Sequence, residues 1–407
     1  MRIFYSYKGK LFNDIRDIVN NNSLQVDFEY LFNEYLPFQV VISKRTAFKG
    51  VTIAPSSEFK ANLNDIEFDY NFFLKGFGDY LEQETFDNKK PYIAAVSGGI
   101  DSSVVSLQIK PPVIYSGYYD EVDCDETDYS SAVAKEIGAK HKTYLLNEND
   151  FLDNFEDCFN TFCSPAGGMG SVMEYAALKK ALKDNPNVEQ VFFGNGGDEI
   201  FMSYYFNYYV RELINNSKII PEWMPNFAPS KKAIANNIID FTIMSSLNRG
   251  NKNYIYDNFT TKNFLPALQQ YDNYIDKLLY TNINIILPTL LHVVEQIARS
   301  LNVKPFNPLS NDLFIKYASS INREMTEIPK QKLRDINTNI PEIVKNNRIK
   351  RGFPMPYRNW KQVNELFKEY YDSFFDRDIV SIKKLPYTGI NRYNWGIFQT
   401  VLLLRRM

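Results

Sequence analysis

Histidine and cysteine are scarce in this chain, and their scarcity excludes much metal and thiol chemistry. The 407 residues include two histidines, His141 and His292, and three cysteines, Cys124, Cys158 and Cys163. Two histidines rule out a His-rich metal site, and no cysteine pair has CxxC or zinc-like spacing. Three thiols cannot all pair with one another, so reduced cysteines in a cytoplasm are the expectation. A basic excess is also missing, since 46 Lys and Arg face 48 Asp and Glu for a net charge of −2. Nucleic acid and anionic membranes call for such an excess, so neither is an expected partner. The opening MRIFYSYKGK lacks the apolar core of a signal peptide, and no uncharged apolar run reaches membrane-spanning length. Internal repeats and low-complexity tracts are lacking too.

What remains is an ordinary globular composition, 44% hydrophobic and 23% charged, long enough for two or three domains. Residues 1–65 read as a small α+β unit in which short runs (MRIFYSY, FQVVISK, GVTIAP) surround a helix at DFEYLFNEYL. Residues 66–218 read as an α/β core. There the apolar runs PYIAAV, PPVIYSGYY and VEQVFFGN alternate with helical segments, including one from about Thr127 to Ile137. Strands alternating with helices imply a doubly wound parallel sheet, expected to have five strands. Residues 219–407 are mainly helical in pattern, with Pro and Asn punctuation.

Two glycine turns carry the chemistry. In Ala94-Ala95-Val96-Ser97-Gly98-Gly99-Ile100-Asp101-Ser102-Ser103, a buried strand ends in glycines and a helix starts at once. Glycines allow close backbone approach, and free amides at a helix start attract phosphate. Ser97, Ser102 and Ser103 add hydroxyls. Asp101 among phosphates makes sense with Mg²⁺ between them. Read plainly, the same string is a βα turn with an N-cap. It is not a Walker loop, because GK[ST] is absent. The second turn, Phe193-Gly194-Asn195-Gly196-Gly197-Asp198-Glu199, again follows a buried strand. In a parallel sheet both turns lie at strand carboxyl ends, where ligands bind. Asp101 and Asp198 could then flank one Mg²⁺–pyrophosphate. Between them, Cys163-Ser164-Pro165-Ala166-Gly167-Gly168-Met169-Gly170-Ser171 could wrap a substrate carboxylate with Gly167, Gly168 and Ser171, or be a plain connection. Cys163 has no histidine near it in sequence and reads as a small buried thiol.

The first turn resembles the pyrophosphate loop of N-type ATP pyrophosphatases. Together with the second it resembles the asparagine synthetase superfamily, whose synthetase domain carries SGGxDS and later Gly-x-Gly-x-Asp-Glu. Asp125-Glu126-Thr127-Asp128-Tyr129, Lys332-Leu333-Arg334, Ile340-Pro341-Glu342-Ile343 and Arg348-Ile349-Lys350-Arg351-Gly352-Phe353 extend the likeness across about residues 25–365. The resemblance implies ATP bound by Ala95, Ser97, Gly98, Gly99, Asp101, Ser102, Ser116 and Gly194, and Mg²⁺ on Asp101 and Asp198. It also makes Lys350, Arg348 and Asp198 the catalytic residues. The activity implied is AMP-forming activation of a small-molecule or peptide carboxylate, followed by transfer to an amine or ammonia.

Two departures shape that expectation. The family's glutaminase domain starts with a nucleophilic Cys after Met, but Arg2 follows Met1 here. Residues 1–65 are therefore expected to be a remnant of that domain, without glutamine hydrolysis. A separate amidotransferase or a precursor peptide is then the partner to expect. Asparagine synthetases also place a Glu where Asn195 stands, beside the substrate. An amide takes no proton, which leaves Glu199 and Tyr204 as candidate bases and moves the reading toward relatives such as the β-lactam synthetases and lasso-peptide cyclases. An RNA-modifying pyrophosphatase and a scaffold without activity are further alternatives.

Overall fold

The computed structural model describes residues 1–40, 42–61, 65–121, 124–216, 268–320, 325–326, 328–336, 339–347, 355–377, 384 and 386–406. Arg348 and Lys350, with the rest of the basic Gly-Phe signature, lie outside these residues.

Five parallel strands form the central sheet: β4 (Tyr92–Ala95), β5 (Val113–Tyr118), β6 (Lys140–Leu145), β7 (Gln190–Phe192) and β8 (Lys304–Phe306), in the order β6-β5-β4-β7-β8. Helices cover both faces, as the alternating pattern predicts. From β4 the chain moves outward to β5 and β6 through helices Ile100–Ile109 and Thr127–Ile137. It then returns across the sheet to β7 and β8 through helices Glu148–Phe162, Gly170–Asp184 and Leu287–Ser300. Right-handed crossovers in opposite directions put the two helix sets on opposite faces. Strand order therefore reverses between β4 and β7, and the two glycine turns emerge side by side at that point.

Two strands escape a periodicity reading for physical reasons. β6 (KHKTYL) is a polar edge strand, and β8 (KPF) contains Pro305, which an edge strand tolerates because one of its sides needs no amide donors. In the N-terminal segment, β1 (Ile3–Tyr7) pairs antiparallel with β2 (Lys10–Phe12) and β3 (Thr52–Pro55). The expected strand at FQVVISK does not form among the described residues. Phe38 instead ends a helical stretch, and Gln39 turns the chain at φ 53°. This segment shares one core with the rest: Ile3, Tyr5, Phe38, Val104, Phe192, Leu291 and Phe398 belong to a continuous buried cluster. Tyr5 Oη meets His292 Nδ1 at 2.5 Å, and burial lowers the His292 pKa to about 4, which fits a neutral structural histidine. The continuous helix Tyr274–Ser300 is long and apolar enough to cross a bilayer. However, 78% of its apolar window is buried inside the protein, as in the core helix of a soluble domain.

Candidate active site

The first turn needs its glycine. Gly98 has φ +83°, and a Cβ there would come within 2.7 Å of the Tyr129 Cβ and 3.1 Å of the Glu126 carbonyl. Gly99 is the N-cap of helix Ile100–Ile109, whose first amides have no intrahelical acceptor. The serines shape the turn internally. Ser97 donates its amide to Ser102 Oγ at 3.2 Å, and Ser103 Oγ donates to the Gly99 carbonyl at 2.8 Å.

The second turn is packed onto the first. A Cβ on Gly194 would lie 2.5 Å from the Ser102 amide, and one on Gly197 would overlap the Asp101 carboxylate. Gly196 has φ +113° and abuts the Leu309 backbone. Backbone therefore meets backbone at the reversal point, and this brings Asp101 and Asp198 together.

A cation sits between the two carboxylates. Lys330 Nζ pairs with Asp198 Oδ1 at 2.7 Å and also with Asp101 Oδ2. Burial works against the charge on Lys330, but the two carboxylates outweigh it, and its pKa ends above the ordinary lysine value. Carboxylates that can share one ammonium can share a divalent ion, so Asp101 and Asp198 fit the Mg²⁺ role the sequence suggests. Sequence reasoning missed Lys330. The string Lys330-Gln331-Lys332 offers two lysines, and only the fold selects the first.

Both turns open into a cavity of about 710 Å³ that straddles the carboxyl edge of the sheet. Ala95, Ser97, Gly98, Gly99, Asp101, Ser102, Ser116, Gly194, Asn195 and Asp198 all line it, with Lys330, Arg334, Glu174 and Tyr208. Ser116 is tied down, since its Oγ donates to the Val96 carbonyl at 2.6 Å. That leaves it to accept from His141 Nε2 at 3.1 Å. Burial lowers the His141 pKa, favouring the neutral ring. Glu199 is 1% exposed and bonded to the Tyr204 hydroxyl. Burial, chiefly, pushes the Tyr204 pKa well up.

The glycine loop lies elsewhere. Gly167, Gly168 and Ser171 are not on the cavity wall. The Gly167 carbonyl accepts from Trp395 Nε1 at 2.9 Å, the Ala166 carbonyl from Gln399 Nε2 at 2.7 Å, and Ser171 Oγ donates to the Gly168 carbonyl at 2.6 Å. The Trp395 and Gln399 bonds fasten the loop to helix Arg392–Leu404, and the Ser171 bond closes it on itself. Cys163 Sγ donates to the Asn160 carbonyl at 3.2 Å, and burial raises its pKa to about 11, so it is no thiolate at neutral pH. Among the described residues no cluster of three His, Cys, Asp or Glu side chains could hold a metal by itself.

Arg334 was also unremarked in the sequence as a site residue. Its Nη1 donates to the Lys345 carbonyl at 2.6 Å and its Nη2 to the Asn347 carbonyl at 2.9 Å. It thereby anchors the chain directly ahead of Arg348.

The family model for asparagine synthase matches residues 83–387, about three quarters of the chain. The chain belongs to the asparagine synthase family. No curated protein matches it. Membership makes the protein a ligase-type enzyme that uses ATP to form amide bonds, and both glycine turns and Lys330 fall inside the matched span.

Proposed function

We propose that the protein activates a substrate carboxylate as an acyl-adenylate, releasing pyrophosphate, and passes the acyl group to an amine with release of AMP. One observation carries this reading. Two acids from adjacent strand-end turns, Asp101 and Asp198, share a single cation beside a glycine turn with free helix amides. Phosphate binding needs those amides. The paired acids would hold Mg²⁺, which when bound offsets phosphate charge and eases pyrophosphate departure.

The residues of the chain divide the remaining work. The amides at the start of helix Ile100–Ile109 would hold phosphate oxygens of ATP, and Lys330, beside Asp101 and Asp198, would offset charge on the leaving pyrophosphate. The carboxylate oxygen attacks the α-phosphorus, and the bond to the bridging oxygen breaks. By resemblance, Lys350 and Arg348 stabilise the charge that develops on phosphorus and then on the acyl carbon. Arg334 holds the Lys345 and Asn347 carbonyls and so fixes the chain that leads into those two residues. Asn195 on the cavity wall, where asparagine synthetases have Glu, favours a peptide or natural-product amide synthetase over ammonia-dependent asparagine formation.

The test is incubation with Mg·ATP, a carboxylate panel headed by aspartate, and hydroxylamine as trap, with nucleotides quantified. AMP and pyrophosphate that depend on one carboxylate, and vanish in Asp101→Ala, are the expected result. ADP and phosphate would sink the proposal.

A further inference from the structure

The cavity has a part that phosphate chemistry leaves unused. Successive strand residues face opposite sides of a sheet. On β5, Ser116 turns toward helix Thr127–Ile137, where Ser130 also meets His141, while Tyr115 turns to the other face. On that face, Glu174, Ala177 and Leu178 lie at i, i+3 and i+4 along helix Gly170–Asp184, and all three line the cavity. Leu290, Val294 and Ile297, at i, i+4 and i+7 on helix Leu287–Ser300, line it too. The result is an apolar groove between two helix faces with one carboxylate in its wall.

That carboxylate is exceptional among the acids of the cavity. Asp101 and Asp198 hold Lys330, Glu199 holds Tyr204, and Glu126 has an interaction partner. Glu174 makes no hydrogen bond or ion pair among the described residues. Cations on the same helix and in the cavity wall are engaged elsewhere: Lys179 with Asp157 at 3.2 Å, Lys180 with Asp150 at 2.6 Å, Lys330 with Asp101 and Asp198, and Arg211 with the Thr326 carbonyl at 3.3 Å. The titratable groups that feel Glu174 are Tyr115, Tyr119 and Cys158, none of them cationic. Desolvation raises the Glu174 pKa to about 7. A half-buried carboxylate in an apolar wall without a partner is costly, and a ligand cation would relieve that cost.

We propose that Glu174 receives the acceptor substrate, an aliphatic primary amine in its ammonium form, whose carbon chain lies on Ala177, Leu178, Leu290, Val294 and Ile297. This rests on the amide-forming reading and names its nucleophile. One ammonium proton passes to the Glu174 carboxylate, and the freed nitrogen lone pair attacks the acyl carbon. The C–N bond forms, the acyl C–O bond to phosphate breaks, and AMP departs with that electron pair. The second nitrogen proton then leaves to water. Glu174 thus takes up the proton that Asn195 cannot accept.

The probe is n-butylammonium chloride, with n-butanol and sodium butyrate as neutral and anionic controls, titrated into wild type and Glu174→Gln. The expected result is at least ten-fold tighter binding of n-butylammonium than of n-butanol by wild type, with that preference lost in Glu174→Gln. In wild type alone, n-butylammonium should also shift the methyl resonances of Leu178, Val294 and Ile297. This keeps the proposal testable if the variant does not fold. Equal preference in both proteins, tighter butyrate binding, or unmoved methyl resonances would overturn it. ATP affinity measured on the same samples separates the two readings. Retained ATP binding without amine preference refutes only the Glu174 assignment, whereas a wild type that does not bind ATP refutes the activating reading.

Discussion

Lys330 sets the electrostatics of the site at the scale of single residues. It is 8% exposed and neutralises two carboxylates that would otherwise repel each other across the reversal point. Its folded pKa is raised, so its stabilisation is complete below the unfolded lysine value of about 10.5 and is lost only as pH rises beyond it. Lys330→Met takes the shared ammonium from two half-buried acids, although Asp198 keeps its bond from the Ser203 hydroxyl, and should cost about 1–3 kcal/mol at pH 7.5. Thermal unfolding should show part of that loss restored by Mg²⁺, and a variant as stable as wild type without metal would contradict the pairing. Glu174 works in the opposite sense. Its folded pKa of about 7 exceeds the ordinary 4.5, so the folded state binds the proton more tightly and stability falls as pH rises through that window. Glu174→Gln should remove that slope and gain on the order of 2 kcal/mol over wild type at pH 8. Unfolding curves of both proteins from pH 5 to pH 8 would check this, and a difference independent of pH would rule it out. Neither residue could be picked from the sequence, because Glu174 sits in an ordinary amphipathic helix and Lys330 beside a second lysine.

At the scale of elements, the glycine turns were legible because they are local. Short apolar strands followed at once by Ser-Gly-Gly or Gly-Asn-Gly-Gly leave few other conformations, and helix Thr127–Ile137 falls where its pattern places it. The loop Cys163–Ser171 was less legible. Three glycines suit anion wrapping or tight packing equally, and the Trp395 and Gln399 side chains that decide the matter lie more than 220 residues away. Arg334 belongs to this scale as well, since it joins helix Gln331–Asp335 to carbonyls at the C-terminal end of helix Glu342–Asn346. Arg334→Ala should leave those carbonyls uncapped and release the segment before Lys350. The expected outcome is a fall in turnover of about 10–100-fold, in line with misplacement of catalytic groups, with ATP affinity within a few-fold of wild type. An unchanged turnover would show that Arg334 does not position that segment.

On the scale of the whole molecule, the division into parts read from composition meets a core that ignores it. Tyr35 bonds to Gln399, Tyr5 to His292, and the Ala47 amide donates to Ser164 Oγ at 3.3 Å, so the N-terminal segment is tied to widely separated parts of the remaining chain. Such long-range partners leave no trace in local periodicity. A chain begun at residue 66 would lose Tyr5 from His292 and Tyr35 from Gln399, and would uncover the parts of helices Leu287–Ser300 and Arg392–Leu404 beneath them. It should unfold below the wild-type temperature or fail to remain soluble, whereas the full chain should melt in one transition. An equally stable shortened chain would show that the first segment is dispensable.

The central claim concerns which oxygen ends up where. If the substrate carboxylate attacks the α-phosphorus, amide formation leaves one of its oxygens on AMP. With a carboxylate substrate labelled with ¹⁸O, mass spectrometry of the products should find one heavy oxygen in AMP and none in pyrophosphate. Unlabelled AMP, or label in inorganic phosphate beside ADP, would contradict the acyl-adenylate.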